Sequence, residues 1–323
     1  MRRRDFIAFV GAAVTVGSSQ ARAQQPGRIY RIGSLHQGAL TDPHHLAFYD
    51  ELRSLGFIEG QNVASDREGY GLKLDELATH ASTLAKSSVD VILCGGDVAI
   101  RAAREATTTT PIIAVTDDMV RPGFVRTLAK PGGNVTGISI LATELDGKRE
   151  EILVEAVPGI LRVAALADPA TTSSEQSQAL QKLSEAQGVE LSIHWAAKVD
   201  AIADAIDAAY HAQAQAINVL ATPLLFNNRQ IILDRVRTLR LPAIYQWPET
   251  AEEGGFTAYG PRFTQMYRQA AQLVAKVFNG TKPADIPVEQ PTRFELVVNL
   301  KTARAIGHEI PAALVLRSDK VIE

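Results

Sequence analysis

The sequence has one cysteine, Cys94, which excludes an internal disulfide framework and any cysteine-rich metal centre. Its place at the end of the apolar run Val89 to Cys94 is that of a small buried hydrophobe. Neither sign of charge is in excess. Lys and Arg number 33 against 36 Asp and Glu, a formal net charge of -3, so nothing in the bulk charge points to nucleic acid or an anionic membrane. No segment approaches the roughly 20 apolar residues that a membrane-spanning helix needs, so no direct membrane insertion is expected. Catalytic signatures are also missing: there is no G-x-S-x-G, H-E-x-x-H or Walker loop, and Gly95-Gly96 is too little for a dinucleotide fingerprint. His36, His44 and His45 have no acid or histidine at a spacing that would complete a metal site. The expectation is therefore no catalytic residue, no cofactor, no metal and a small, roughly neutral partner.

What is present is a chain of 323 residues, 46% hydrophobic and 21% charged, enough for two globular domains. Residues 1–25 are set apart. Arg2, Arg3 and Arg4 precede a short apolar stretch from Phe6 to Val16, and Ala21-Arg22-Ala23 supplies small residues for a signal peptidase. The order Arg3-Arg4-Asp5-Phe6-Ile7 resembles a twin-arginine export signal, with an ordinary secretory signal as the alternative. Cleavage near Ala23 and a periplasmic mature protein are expected.

From Arg28 onward, short apolar runs alternate with amphipathic stretches, which predicts parallel sheets covered by helices. The predicted strands are Tyr30 to Leu35, Asn62 to Glu68, Val89 to Cys94, Ile112 to Thr116, Arg162 to Ala167, Glu190 to Trp195, Ala216 to Leu220 and Ala243 to Gln246. They fall into two groups of four, separated by the turn-rich segment 128–139. Asp42 is placed to cap a helix that Pro43 opens and Gly56 stops, with Leu46, Tyr49, Leu52 and Leu55 as its apolar stripe. Leu74, Leu77, Ala81 and Leu84 predict a second helix, Ile202, Ala205, Ile206 and Ala209 another, and Met266, Ala270, Leu273, Val274 and Val277 a long one ending near Gly280. The fold class this implies is α/β: two Rossmann-like lobes with parallel sheets and a ligand cleft between the carboxyl ends of their strands.

The residues that follow the strands are then the candidate site. They include Ser34, His36, Gln37, Gly96, Asp97, Thr116, Asp118, Ser139, Asp168, Thr222, Asn227, Tyr245 and Trp247. An aromatic wall with a few hydroxyls, carboxylates and helix-start N–H groups suits a small amphipathic ligand. Duller roles compete for the same residues. Asp97 and Asp168 are equally placed to cap helices, Ser34 and Thr222 to bond their own loops, and Trp247 to pack between lobes.

Four stretches carry a resemblance: "KPGGNVTGIS" (130–139), "KREEILVEAVPGILRVAAL" (148–166), "LPAIYQWPETAEEGGFTAYGP" (241–261) and "KPADIPVEQPTRFELVVNLKTARAIGHEIP" (282–311). With them the chain resembles the ABC transporter substrate-binding protein family, which includes TrpX-like binders. The resemblance implies a fold like that of type I periplasmic binding proteins, closing on a small, amino-acid-like or aromatic ligand. It also implies partners, an ABC permease and its ATPase, and a monomeric carrier. A binding protein that reports to a membrane sensor, or an exported enzyme on the same scaffold, are the alternatives. The expected lobes are 28–136 plus about 262–290, and 139–258 plus about 292–323, with hinges near 134–139, 256–261 and 290–296. One departure bears on the ligand: where the family often has Gly-Thr-Pro, this chain has Gly96-Asp97-Val98. A carboxylate there favours a cationic or hydrogen-bond-donating ligand and disfavours a bare carboxylate.

Overall fold

In a computed structural model, which describes residues 27–141 and 145–323, the chain builds two sheets. The export signal and its cleavage site lie outside the described residues. The first sheet comes from β1 (Tyr30–Leu35), β2 (Val63–Ser65), β3 (Val91–Gly95), β4 (Ile112–Thr116) and β5 (Val135–Ser139), in the order β2-β1-β3-β4-β5, all parallel. The second contains β6 (Arg162–Ala167), β7 (Glu190–Trp195), β8 (Ala216–Val219), β9 (Ala243–Tyr245), β10 (Thr257–Gly260), β11 (Glu295–Asn299) and β12 (Lys320–Ile322), in the order β12-β11-β10-β9-β8-β6-β7. Only the β10–β11 pairing is antiparallel among these ladders.

Each sheet is buried on both faces, which is why its strands read as continuous apolar runs rather than alternating ones. On one face of the first sheet, Val91, Leu93, Ile113 and Val115 pack against α1 (Pro43–Ser54) and α10 (Phe263–Phe278). On the other, Ile92, Cys94, Ile112 and Ala114 meet α2 (Leu77–Lys86) and α3 (Asp97–Ala106). The alternation of residue numbers between these clusters is the period of two of a pleated strand. Cys94 is buried, as its setting predicted. The second sheet is covered on one face by α4 (Asp146–Ala156), α5 (Ser174–Ala186), α11 (Leu300–Ile306) and α12 (Ala312–Arg317), and on the other by α6 (Ala201–His211) and α8 (Arg229–Leu239). Two short helices, α7 (Pro223–Asn227) and α9 (Pro248–Glu252), follow β8 and β9. Each fully buried Leu, Ile or Val contributes about 1.5–3 kcal/mol of hydrophobic stabilisation.

The chain passes from one sheet to the other after β5, after β10 and before β11. On its last return it runs along the edge of β5. Ser139 N donates to Glu289 O at 2.9 Å, Glu289 N to Gly137 O at 2.8 Å, and Thr136 Oγ1 to Ile286 O at 2.7 Å. These bonds cover an edge that would otherwise be open to pairing.

The sequence pattern underestimates the sheets. β5, β10, β11 and β12 were not among the predicted strands, and two of the segments expected to be hinges, 134–139 and 256–261, are largely β5 and β10. Gly137 explains the first of these. A Cβ there would stand 1.9 Å from the carbonyl oxygen of Ala114, so the glycine that makes 130–139 look like a turn is required by close approach to β4. The predicted face of α1 is also shifted: Leu46 and Leu55 are exposed, while His44, His45, Phe48 and Leu52 are buried. Two histidines turned inward disguise the stripe. Asp42 occupies the N-cap position, but its side chain makes no cap bond. Leu74 likewise lies outside α2 and is exposed.

Candidate solute-binding cleft

The carboxyl ends of the two sheets face each other across a cavity of about 150 Å³. A void of about that size accepts a single six-membered aromatic ring. From the first lobe it is lined by the β1 exit (His36, Gln37, Gly38), the start of α1 (His44, His45), the β3 exit (Gly95, Gly96, Asp97), the β4 exit (Thr116, Asp117, Asp118, Arg121) and the start of α10 (Phe263, Tyr267). The second lobe contributes Thr171, the β8 exit (Ala221, Thr222, Pro223, Phe226, Asn227) and the β9 exit (Gln246, Trp247).

The aromatic side of the cleft joins the lobes. Trp247, rooted after β9, lays its ring against Phe263 of α10, with centroids 4.6 Å apart at 33°, and meets Phe226 edge-on at 5.9 Å. Phe263 in turn stands 4.6 Å from the ring of His44 and 5.2 Å from that of Tyr267. Trp247 therefore belongs to the apolar cluster of the first sheet although its backbone belongs to the second. His36 is clamped between Tyr70, stacked at 5.2 Å, and His45, at 4.6 Å. Gly95 is what lets it fit: a Cβ there would come within 2.7 Å of His36 Nδ1.

Burial depresses the basicity of all three histidines. It holds His36 well below the ordinary value, takes His44 down to about 2 and His45 to about 4, so each is neutral at pH 7. Acids dominate the opposite side. Burial raises the Asp97 carboxyl above its ordinary value, against the opposing effects of Thr116 and Arg101, and Asp97 accepts a short hydrogen bond from Thr116 Oγ1. Asp118 accepts from the N–H groups of Val120 and Arg121 at 2.8 and 3.1 Å, with the Arg121 guanidinium 3.9 Å away. Asp97, Asp117 and Asp118 thus outnumber Arg121 in the lining among the described residues.

Nine of the sequence-predicted site residues meet in this lining: His36, Gln37, Gly96, Asp97, Thr116, Asp118, Thr222, Asn227 and Trp247. Thr222 also serves its own loop, accepting from Leu225 N at 3.1 Å as the cap of α7. The structure does not bring Ser34, Ser139, Asp168 or Tyr245 to the cavity surface. Ser34 is buried under Gly69, and Ser139 Oγ donates to Asp117 O at 3.1 Å, bracing the β4 exit from behind. Asp168 accepts from Ala170 N at 2.8 Å in its own turn. Tyr245 is the last residue of β9 and packs with the α6 and α8 side of the second core. At β9 the residues past the strand end, Gln246 and Trp247, reach the cavity, and Tyr245, still inside the strand, does not. Missing from the candidate residues were Phe263 and Tyr267, which lie on a helix that follows a crossing segment, not on a strand exit. Their spacing, i and i+4, was the available signal.

Among the described residues, four buried side-chain polar atoms of lining residues have no hydrogen-bond partner: His36 Nε2, His45 Nε2, Gln246 Oε1 and Trp247 Nε1. Two come from each lobe.

Comparison with known proteins agrees with this geometry. A family model described as ABC transporter substrate binding protein matches residues 41–322. A tyrosine-binding protein of Clostridioides difficile (strain R20291) is 24% identical over 281 residues, covering 85% of this chain and 79% of that protein. Among solved structures, a conserved domain protein of Vibrio cholerae superposes with a TM-score of 0.83 at 21% identity, covering 91% of this chain and 100% of that one. An ABC domain from Streptococcus pneumonia in complex with L-Trp superposes with a TM-score of 0.78 at 22% identity over the same shares. No helix among the described residues is long and apolar enough to cross a membrane.

Proposed function

The chain belongs to the ABC transporter substrate-binding protein family, and from that premise we propose that it captures a small amphipathic solute outside the cytoplasm and delivers it to a membrane permease powered by its ATPase. Its work is binding, not chemistry. The observation that carries the reading is a set of buried atoms without a partner among the described residues, His36 Nε2 on one lobe and Gln246 Oε1 and Trp247 Nε1 on the other, each on a residue that lines the one cavity. A buried polar atom without a partner costs about 1–3 kcal/mol. A solute that bonds to both lobes removes those costs only when the lobes are closed, and that differential shifts the equilibrium toward closure.

The lining narrows the solute. Trp247, Phe226, Phe263 and Tyr267 offer a flat apolar wall, and the cavity of about 150 Å³ has room for one ring. Asp97, Asp117 and Asp118 at the other side favour an ammonium or another donor head and oppose an unpaired carboxylate. The relatives named for tyrosine and solved with L-Trp make aromatic amino acids the starting point, and the acid excess in this cleft moves the preference toward aromatic amines. We assign solute contact to the nine predicted residues that line the cleft, and support of the wall to Ser34, Ser139, Asp168 and Tyr245. The closing bodies are 28–136 plus about 262–290 and 139–258 plus about 292–323, a division that the packing of α10 on the first sheet supports.

The test is a thermal-shift and calorimetric comparison of tyramine, tryptamine, L-tyrosine, L-tryptophan and benzoate. A solute that binds only the folded state raises the melting temperature with its excess over Kd. Amines should bind most tightly and benzoate least. Tight benzoate binding refutes the charge argument, and silence from every probe of this size refutes the solute class.

A further inference from the structure

The start of α1 gathers a second kind of chemistry. Asp42, His44 and His45 each offer one ligand atom, and these atoms lie within 4.8 Å of one another. By sequence spacing alone no acid stood ready to complete a histidine site. Asp42 supplies one: in the fold its carboxylate comes close to His44 and His45, without the N-cap bond that a residue in its position usually makes.

Each residue is prepared for coordination in its own way. His45 Nδ1 lies 2.6 Å from the carbonyl oxygen of Ala39, an atom that can only accept, so Nδ1 carries the proton and Nε2 keeps its lone pair. That Nε2 is buried and has no partner. A ring held by one nitrogen on a backbone carbonyl, with the other nitrogen bare, is the setting of a metal-ligating histidine. His44 is fixed in orientation by the rings of Phe263 and Tyr267, both 4.6 Å away. Asp42 makes no cap bond with its own helix, and Gly38 leaves room beside it: a Cβ at 38 would come within 2.6 Å of Asp42 Oδ2. Neutral imidazoles do not have to lose protons to bind a cation. The nearby positive charge, Arg229, is held by both oxygens of Glu253, at 2.5 and 2.9 Å.

We propose that Asp42, His44 and His45 form a binding site for a divalent transition-metal ion, zinc in the first instance, with its open coordination positions facing the solute cleft. Two imidazole nitrogens and one carboxylate oxygen suit zinc and its neighbours, and supply too few oxygens for calcium or magnesium. Tetrahedral zinc sets its ligand atoms about 3.4 Å apart, so the side chains draw together on loading. Two of the three ligands, His44 and His45, line the cavity, so a solute donor atom that completes the shell would approach from the histidine side. This site does not depend on the aromatic-amine reading.

Metal-stripped protein titrated with Zn2+ by calorimetry, and with Co2+ by visible absorption, is the test. One ion per chain should bind, with the intense cobalt bands of a low-coordinate nitrogen and oxygen site. Asp42→Asn and His45→Gln should each weaken binding by more than about tenfold, with the metal-free fold checked by circular dichroism. Should His45→Gln fail to fold, Asp42→Asn decides, because Asp42 is only half-buried. No binding by the unaltered protein, or equal binding by a folded Asp42→Asn variant, overturns the site. Tyramine binding measured in excess chelator reports on the solute reading separately, so the two failures are distinguishable.

Discussion

Trp247→Ala tests the cleft most directly, and its effect can be worked from the packing. The indole is 5% exposed, and its burial has two parts. One is contact with Phe226 and Phe263, which ties the second lobe to the first; the other is wall of the cavity. A buried tryptophan hides roughly 150–250 Å², which at about 25 cal/mol per Å² is on the order of 4–6 kcal/mol for the whole ring. Nearly all of that area is already covered by protein neighbours, so a solute covers only the small exposed part and removing the ring costs binding about 1–2 kcal/mol, or roughly a five- to thirtyfold rise in Kd, chiefly through the lost lobe contact. Loosening the Phe263 contact acts in this way because a smaller closed population raises the apparent Kd. Trp247→Phe keeps a ring and loses only the indole N–H, so it should cost about 1 kcal/mol. The assay is calorimetry at 25 °C with the best probe from the amine series, alongside melting curves for each variant. An alanine variant that melts normally and binds with unchanged Kd would refute the reasoning.

Replacing Asp97 by Thr should weaken tyramine binding and improve benzoate binding relative to the unaltered protein; an unchanged ratio of the two Kd values would remove Asp97 from solute recognition. Glu150 gives a stability prediction. Burial pushes its carboxyl up to about 7, so the folded chain holds a proton that the unfolded chain has released once pH exceeds the ordinary value of 4.5. Stability from this group is therefore greatest at low pH and is lost as pH rises through that window, by at most about 3 kcal/mol. The depressed His44 and His45 act with the opposite sign, losing stability as pH falls below 6.5. The difference between unaltered protein and Glu150→Gln in urea unfolding from pH 4.5 to 8 isolates the glutamate, and a difference independent of pH would contradict its buried titration. Finally, exported protein should begin close after Ala23, and sequencing that finds Met1 at the mature terminus would overturn the export signal.

Much of the architecture was legible because buried parallel strands announce themselves. Val91 to Gly95 and Ile112 to Thr116 are continuous apolar runs, and the helices that cover them have apolar stripes of ordinary period. Where the pattern failed, a tertiary contact had overridden local preference. Gly137 reads as a turn residue until Ala114 is placed beside it, and the inward face of α1 was hidden because histidine is not counted as apolar. The cleft was legible at the strand exits and not beyond them. Asp97, Thr222 and Trp247 could be named from position alone, but Phe263 and Tyr267 reach the same cavity from a helix more than a hundred residues after the first sheet ends. Tyr245 shows the opposite limit: a strand exit gives the neighbourhood, and a residue still inside the strand packs into the core instead.

The late arrival of α10 has a consequence for how the molecule is made. A nascent chain has all of β1 to β5 once residue 139 has left the ribosome, yet the helix that shields one side of that sheet is complete only at Phe278. Until then the inner surfaces of Val91, Leu93, Ile113 and Val115 have α1 but not its neighbour to hide them from water. The first lobe therefore cannot mature until most of the second has been made, and a truncated product ending between residues 139 and 278 would present a sticky, half-clad sheet to chaperones and proteases.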